Sequence, residues 1–118
     1  MNNTTNRPAL IDAWDAEMAS AASARRDGDP DRAWTHLERA HIISQPLAGR
    51  HVRTHLAMLG HATRGGHAKE ALGQMFRILV AAPGSWTGKY PGGNTGGANV
   101  SAFAPMPIPA DLRHLLEP

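Results

Sequence analysis

A series of strong turn signals limits how this chain of 118 residues can fold. The signals lie at Asp27-Gly28-Asp29-Pro30, Pro46, Gly65-Gly66 and Pro83-Gly84. Glycine and proline end helices, and between these positions the apolar residues recur at the three- and four-residue spacing of a helix. The pattern predicts four helices, over about Pro8 to Arg26, Pro30 to Ser44, Leu47 or Gly49 to Thr63, and His67 to Ala82.

The predicted fold is therefore all-α. Helices joined by short loops pack as antiparallel neighbours, so we expect a small bundle of two helical hairpins, similar to a pair of tetratricopeptide repeats. Residues 1–7 are predicted to be a disordered lead, residues 8–82 the four-helix domain, and residues 83–118 an irregular tail rich in glycine and proline. We expect the tail to wrap the helices and to bury Phe103 and Met106, with a last short helix over Ala110 to Leu116.

The composition excludes several classes of protein. Cysteine is absent, which excludes disulfides, thiolate nucleophiles and thiolate-bound metals, and the cytoplasm is the expected compartment. No apolar run approaches the roughly 20 residues of a membrane span, and the first residues lack the apolar core of a secretory signal. The net charge is +2 with scattered arginines, which argues against binding to nucleic acid, while a homo-oligomer stays open.

Histidine is abundant, and five of the seven histidines lie between positions 36 and 61. Glu38 and His41 are three residues apart in the second predicted helix. His51 and His55 are four residues apart in the third. Residues three or four apart share one side of a helix, so each helix can direct two metal-binding side chains at the same point.

A further carboxylate, Glu17, lies within the apolar stripe of the first predicted helix. An isolated buried carboxylate is costly unless it is paired or coordinates a metal. Since helical bundles build metal sites from side chains on facing helices, we expect one site, mononuclear or unevenly dinuclear, for a divalent transition metal such as zinc, copper, iron, nickel or cobalt. Its predicted ligands are Glu17, Glu38, His41, His51 and His55.

A structural interpretation of the same residues stays open. Glu17 can instead pair with Arg39 or Arg53, and His41 and His55 can be core residues bonded to backbone carbonyls. Buried polar groups find such partners in most proteins, with or without a metal.

The glycine-rich part of the tail does not match a phosphate-binding loop. The spacing around Asn94-Thr95-Gly96-Gly97 differs from that motif, and no Lys-Ser/Thr pair follows. Turns that need positive φ account for these glycines. Ser85, Thr95 and Ser101 lack the sequence context of a nucleophilic serine, so no hydrolase is predicted.

Several motifs together carry a family resemblance. They are Leu37-Glu38-Arg39-Ala40-His41, His51-x3-His55, Glu70-Ala71-Leu72-Gly73-Gln74, and the stretch that runs from Gly93-Asn94-Thr95-Gly96-Gly97 to Pro105-Met106-Pro107-Ile108-Pro109. With these motifs, the chain from Trp14 to Leu115 resembles a family of small bacterial cytosolic proteins, the domain of unknown function 3703. The resemblance implies a role for the five predicted ligands, and the location of some family genes near heavy-metal resistance genes favours a metal role.

Three functions are compatible with the sequence. The first is a metal-binding protein that acts in the handling of, or resistance to, heavy metals. The second is a non-haem metalloenzyme that activates oxygen at an open coordination position. The third is a helical adaptor in which the polar cluster is structural. The sequence leaves open whether any reaction is catalysed.

Overall fold

A computed structural model describes residues 6–98, 100, 101 and 103–117, except for the side chains of residues 79, 80 and 82. The described part consists of helices and irregular segments, without a strand, as predicted. The helices are α1 (Arg7–Arg26), α2 (Pro30–Ser44), α3 (Ala48–Arg64), α4 (Ala68–Thr87), a 3-10 turn (Ala110–Leu112) and α5 (Arg113–Leu116). Most of the predicted disordered lead, residues 1–5, lies outside the described residues. None of the described helices is long and apolar enough to cross a membrane.

The first two helices begin and end where the local sequence predicts. Gly28 adopts a φ of +74° immediately after the end of α1, a conformation that costs glycine little. The carboxylate of Asp29 then accepts a hydrogen bond of 3.1 Å from the backbone N–H of Arg32, and Pro30 occupies the first turn of α2. This N-cap satisfies a backbone donor that a helix start leaves free, so the turn fixes both ends of the α1–α2 connection.

The fourth helix differs from the prediction, which ended it at Pro83-Gly84. It continues through Pro83 to Thr87 and ends at Gly88, which has a φ of +73°. A proline inside a helix removes one backbone hydrogen bond, a local cost that the sequence pattern weighs heavily. Here the additional turn places Ser85 against the rest of the bundle, where its hydroxyl donates to the backbone carbonyl of Gln45. The local rule is therefore overridden by a tertiary contact.

The helices pack as two hairpins, α1 on α2 and α3 on α4, and α2 contacts α3 between them. The main apolar core lies between α1, α2 and the C-terminal turn; it contains Leu10, Trp14, Ala40, Ile42, Ile43, Leu47 and Leu112. The indole N–H of Trp14 donates to the hydroxyl of Thr54 over 2.9 Å, which ties α1 to α3. The hydroxyl of Thr54 also lies 3.2 Å from that of Ser44, which joins the end of α2 to α3.

The tail buries a polar residue rather than the aromatic residue that was predicted. Phe103 is 70% exposed, so its predicted burial is wrong, and Met106 is half-buried. Asn94 is 1% exposed instead. Its amide nitrogen donates to the carbonyls of Ser101 and Ala104 over 2.8 and 2.7 Å. These bonds close the tail on itself and leave the Asn94 backbone carbonyl facing α2.

Candidate metal centre

The second and third helices bring three buried histidines to one point. His41 lies in the last turn of α2, and His51 and His55 lie one turn apart near the start of α3. The Nε2 atom of His41 is 3.0 Å from that of His51 and 3.1 Å from that of His55. Each side chain is at most 5% exposed. Among the histidines and acidic residues that the structure describes, the group close enough to share one metal ion consists of these three histidines.

The other ring nitrogen of His41 is fixed by the tail. Its Nδ1 atom lies 2.6 Å from the backbone carbonyl oxygen of Asn94. A carbonyl oxygen only accepts, so Nδ1 must carry the hydrogen. In a neutral imidazole, Nε2 then has no hydrogen and presents its lone pair to the other two rings.

Gln74 on α4 fixes the second histidine in the same way. Its side-chain oxygen lies 2.6 Å from Nδ1 of His55. The orientation of this amide is set because its nitrogen donates to the carboxylate of Glu70 and to the carbonyl of Gly96. Gln74 therefore accepts from His55, and Nε2 of His55 is the atom with the free lone pair.

Ser85 fixes the third histidine through a short relay. The hydroxyl of Ser85 donates to the carbonyl of Gln45 over 2.5 Å, so its hydrogen is already used. Nδ1 of His51, at 2.9 Å from this hydroxyl, is therefore the donor in their hydrogen bond. As in the other two rings, the lone pair of His51 is on Nε2.

Three lone pairs thus face one another without a hydrogen between them when all three rings are neutral. Neighbouring acceptors repel at 3.0–3.1 Å unless a cation lies between them. A proton on Nε2 of His41 could form a hydrogen bond to only one of the two neighbouring nitrogens. Burial opposes that proton as well: it lowers the pKa of His41 well below its usual value, and the adjacent His55 and His51 lower it further.

The other two rings also favour the neutral form that binds metals. Burial, with a contribution from His55, lowers the pKa of His51 to about 3. Burial lowers the pKa of His55 to about 4, although its hydrogen bond to Gln74 opposes the shift. A metal ion binds only a ring nitrogen that carries no proton. Since the pKa values are low, protons compete little with a metal ion for these nitrogens near neutral pH.

The distances suit a first-row transition metal. Bonds of about 2.0–2.1 Å in a tetrahedral arrangement separate two ligand nitrogens by about 3.3–3.4 Å. The two separations from His41, 3.0 and 3.1 Å, are smaller than this by only a few tenths of an ångström. The ligand atoms of all three residues lie within 4.8 Å of one another, so metal binding also requires rotation of the His51 and His55 rings to set their mutual separation. Hydrogen bonds from the remote ring nitrogens to oxygen acceptors are also the usual support of metal-bound imidazoles.

The two predicted carboxylates are not part of this cluster. Glu17 accepts from Nε of Arg39 over 2.8 Å and contacts Nδ1 of His36 at 2.7 Å. Its burial is thus resolved by pairing with Arg39, the structural alternative that the sequence left open. Glu38 is half-buried; burial raises its pKa, while a hydrogen bond to Thr95 opposes the shift. The structure therefore brings together three of the five predicted ligands.

A small cavity of about 60 Å³ borders the three histidines. Its wall includes Arg77 on α4 and Tyr90 in the tail. Phe103, the exposed aromatic residue of the tail, lies at the edge of the same cavity. An ion held between the rings would therefore have free space beside it, with a cationic side chain in the wall.

The groups that orient the histidines were not predicted from the sequence. Gln74 and Asn94 lie in motifs that carry the family resemblance, which is the one signal that could have indicated them. Nothing in the local sequence indicates Ser85, since the preceding Pro83-Gly84 predicts the end of the helix.

Comparison with known proteins gives a family and no function. The family model described as "Protein of unknown function (DUF3703)" matches residues 8–116, in agreement with the resemblance of the motifs. No curated protein and no solved structure gives a significant match to the chain. What the protein does must therefore be inferred from the geometry of the histidine cluster.

Proposed function

This chain belongs to the DUF3703 family, and we propose that it binds one divalent transition-metal ion through Nε2 of His41, His51 and His55. The observation that carries the proposal is the hydrogen bonding of all three remote Nδ1 atoms to acceptors, which leaves three converging lone pairs. A cation between them removes the repulsion that neutral rings would otherwise suffer. We further propose that the protein acts in the cytoplasm in the handling of, or resistance to, a heavy metal.

The chemistry of the donors favours some metals over others. Three imidazole nitrogens suit zinc, copper, nickel and cobalt, and affinity alone follows the general order that places copper first. A mononuclear oxygen-activating iron site uses two histidines and a carboxylate. No carboxylate joins the three histidines within the residues that the structure describes, so the cluster supports metal binding better than that enzyme class.

The direct test is the metal content of the protein, purified without a histidine tag and dialysed against each metal. We expect one ion per chain, and X-ray absorption of the zinc form should show nitrogen neighbours at about 2.0–2.1 Å. The variant His51→Ala should lose stoichiometric metal. His36→Ala is the matched control, because it removes a histidine from α2 that lies outside the cluster and contacts Glu17.

The alternatives predict different results. If the cluster is only structural, the wild-type protein stays free of metal, and His51→Ala changes its stability alone. If the protein is an oxygen-activating enzyme, the ferrous form should change its visible spectrum on exposure to oxygen. A metal-binding protein of the kind proposed retains its metal and shows no such reaction.

A further inference from the structure

The cavity beside the histidines has a wall of unusual charge. Arg77 lines this cavity and is only 7% exposed. Its guanidinium donates to the backbone carbonyl of Val100, which occupies one of its five N–H donors. Arg77 has no salt bridge to any carboxylate of the described residues. A buried cation without an anionic partner is costly, so this position favours the presence of a negative charge.

The acidic side chain whose charge acts on Arg77 has other partners. Glu70 on α4 acts on Arg77 through its charge. Its carboxylate accepts from the amide of Gln74 and from the backbone N–H of Ala98, over 2.9 and 2.7 Å. Glu70 thus holds the tail and the orienting glutamine in place, and does not form a direct ion pair with Arg77.

The proposed metal adds a second positive charge to the same cavity. Three neutral imidazoles leave the full charge of a divalent ion uncompensated in a buried site. Both the metal and Arg77 would border one space of about 60 Å³. That space accommodates a hydroxide or an anion of three or four atoms, and excludes ligands of the size of a typical metabolite.

We infer that the metal centre takes a small monovalent anion as its remaining ligand, held between the ion and the guanidinium of Arg77. The inference rests on the proposed metal site and specifies its exchangeable ligand. Tyr90 also lines this cavity, and its side chain carries a hydroxyl, a neutral donor that such an anion can use. The anion neutralises the site without any carboxylate from the protein.

Azide is a suitable probe, because it is linear, has three atoms and gives charge-transfer bands with cupric ion. Protein loaded with copper, its metal content measured first, is titrated with sodium azide in a buffer free of coordinating anions. We expect a saturable new absorption band. Arg77→Met should bind the same amount of copper and bind azide at least about tenfold more weakly, since it loses a hydrogen bond between charged groups.

The controls separate the two proposals. Arg25→Met removes an exposed arginine at the end of α1 and should leave azide affinity unchanged. Arg77→Lys keeps the charge, so its affinity should lie between those of the wild type and Arg77→Met; it replaces the methionine variant if that variant does not fold. Loaded copper with no azide band, or equal affinity in the wild type and the Arg77 variants, would overturn the inference. Failure of the wild type to bind copper would instead overturn the metal site itself.

Discussion

Gly96 of the tail packs directly against the imidazole ring of His41. A β-carbon on Gly96 would lie 2.6 Å from two ring atoms of His41, and Gly96 has a φ of +86°. Other residues are strained in this conformation, and the ring cannot move away because its Nδ1 atom is bonded to Asn94 two residues earlier. The tail therefore sets the position of His41, although it contributes no metal ligand.

The substitution Gly96→Ala should consequently damage both stability and the site. Gly66→Ala is a matched control, because Gly66 has a similar φ of +72° and no atom within 4 Å of the added carbon. Backbone strain alone should cost the control about 1–2 kcal/mol. Gly96→Ala should lose more free energy of unfolding than the control, as measured by urea unfolding. It should also bind zinc at least about tenfold more weakly. Equal effects of the two variants on zinc affinity would show that the contact with His41 is unimportant.

Gln74 should matter for metal affinity without touching the metal. The variant Gln74→Leu removes the acceptor for Nδ1 of His55, so the ring loses both its orientation and its preferred tautomer. Loss of such a partner typically weakens metal binding by about 10- to 100-fold. Competition with a coloured chelator measures the change. Met75→Leu, an exposed neighbour on α4, should bind the metal as the wild type does.

The acidic residues should be dispensable for binding. Glu17→Gln breaks the contacts with Arg39 and His36, and should lower the free energy of unfolding by about 1 kcal/mol because these groups are partly exposed. It should still bind one metal ion per chain, and so should Glu38→Gln. If either variant folds normally but binds less metal, the carboxylate that it lacks is a metal ligand after all.

The metal-free protein should lose stability as the pH falls below neutrality. The pKa values of His51 and His55, about 3 and about 4, lie below their ordinary value of 6.5. Below pH 6.5 the unfolded chain therefore takes up protons on both residues while the folded chain does not. Each should lower the free energy of unfolding by about 1.4 kcal/mol per pH unit once the pH is well below 6.5, and should have no effect above it.

Urea unfolding between pH 6.5 and 5, in the presence of a chelator, measures this dependence. The variant His55→Ala should show a shallower slope than the wild type, since it removes one of the titrating groups. His36→Ala, which removes a histidine paired with Glu17 outside the cluster, should keep the wild-type contribution of the buried histidines. The same slope in His55→Ala and the wild type would mean that His55 is not held neutral in the fold.

Local sequence patterns are sufficient to predict the helices and the direction of several side chains. Apolar spacing and the turn at Asp29-Pro30 were sufficient to place α1 and α2, because capping and periodicity are local properties. The spacing of His51 and His55 also put them on one side of α3, since four residues nearly complete a helical turn. These features need no knowledge of the rest of the chain.

Which polar residues contact one another depends instead on how the helices and the tail pack. Periodicity predicts the direction in which a side chain leaves its helix, but not which residue of the neighbouring helix lies opposite. Glu17 therefore points inward from α1, as predicted, but contacts Arg39 rather than the histidines. The additional turn of α4 that carries Ser85 depends on contacts distant in sequence, against the local tendency of Pro83. The Asn94 carbonyl reaches His41 along an irregular backbone path that no periodic pattern encodes.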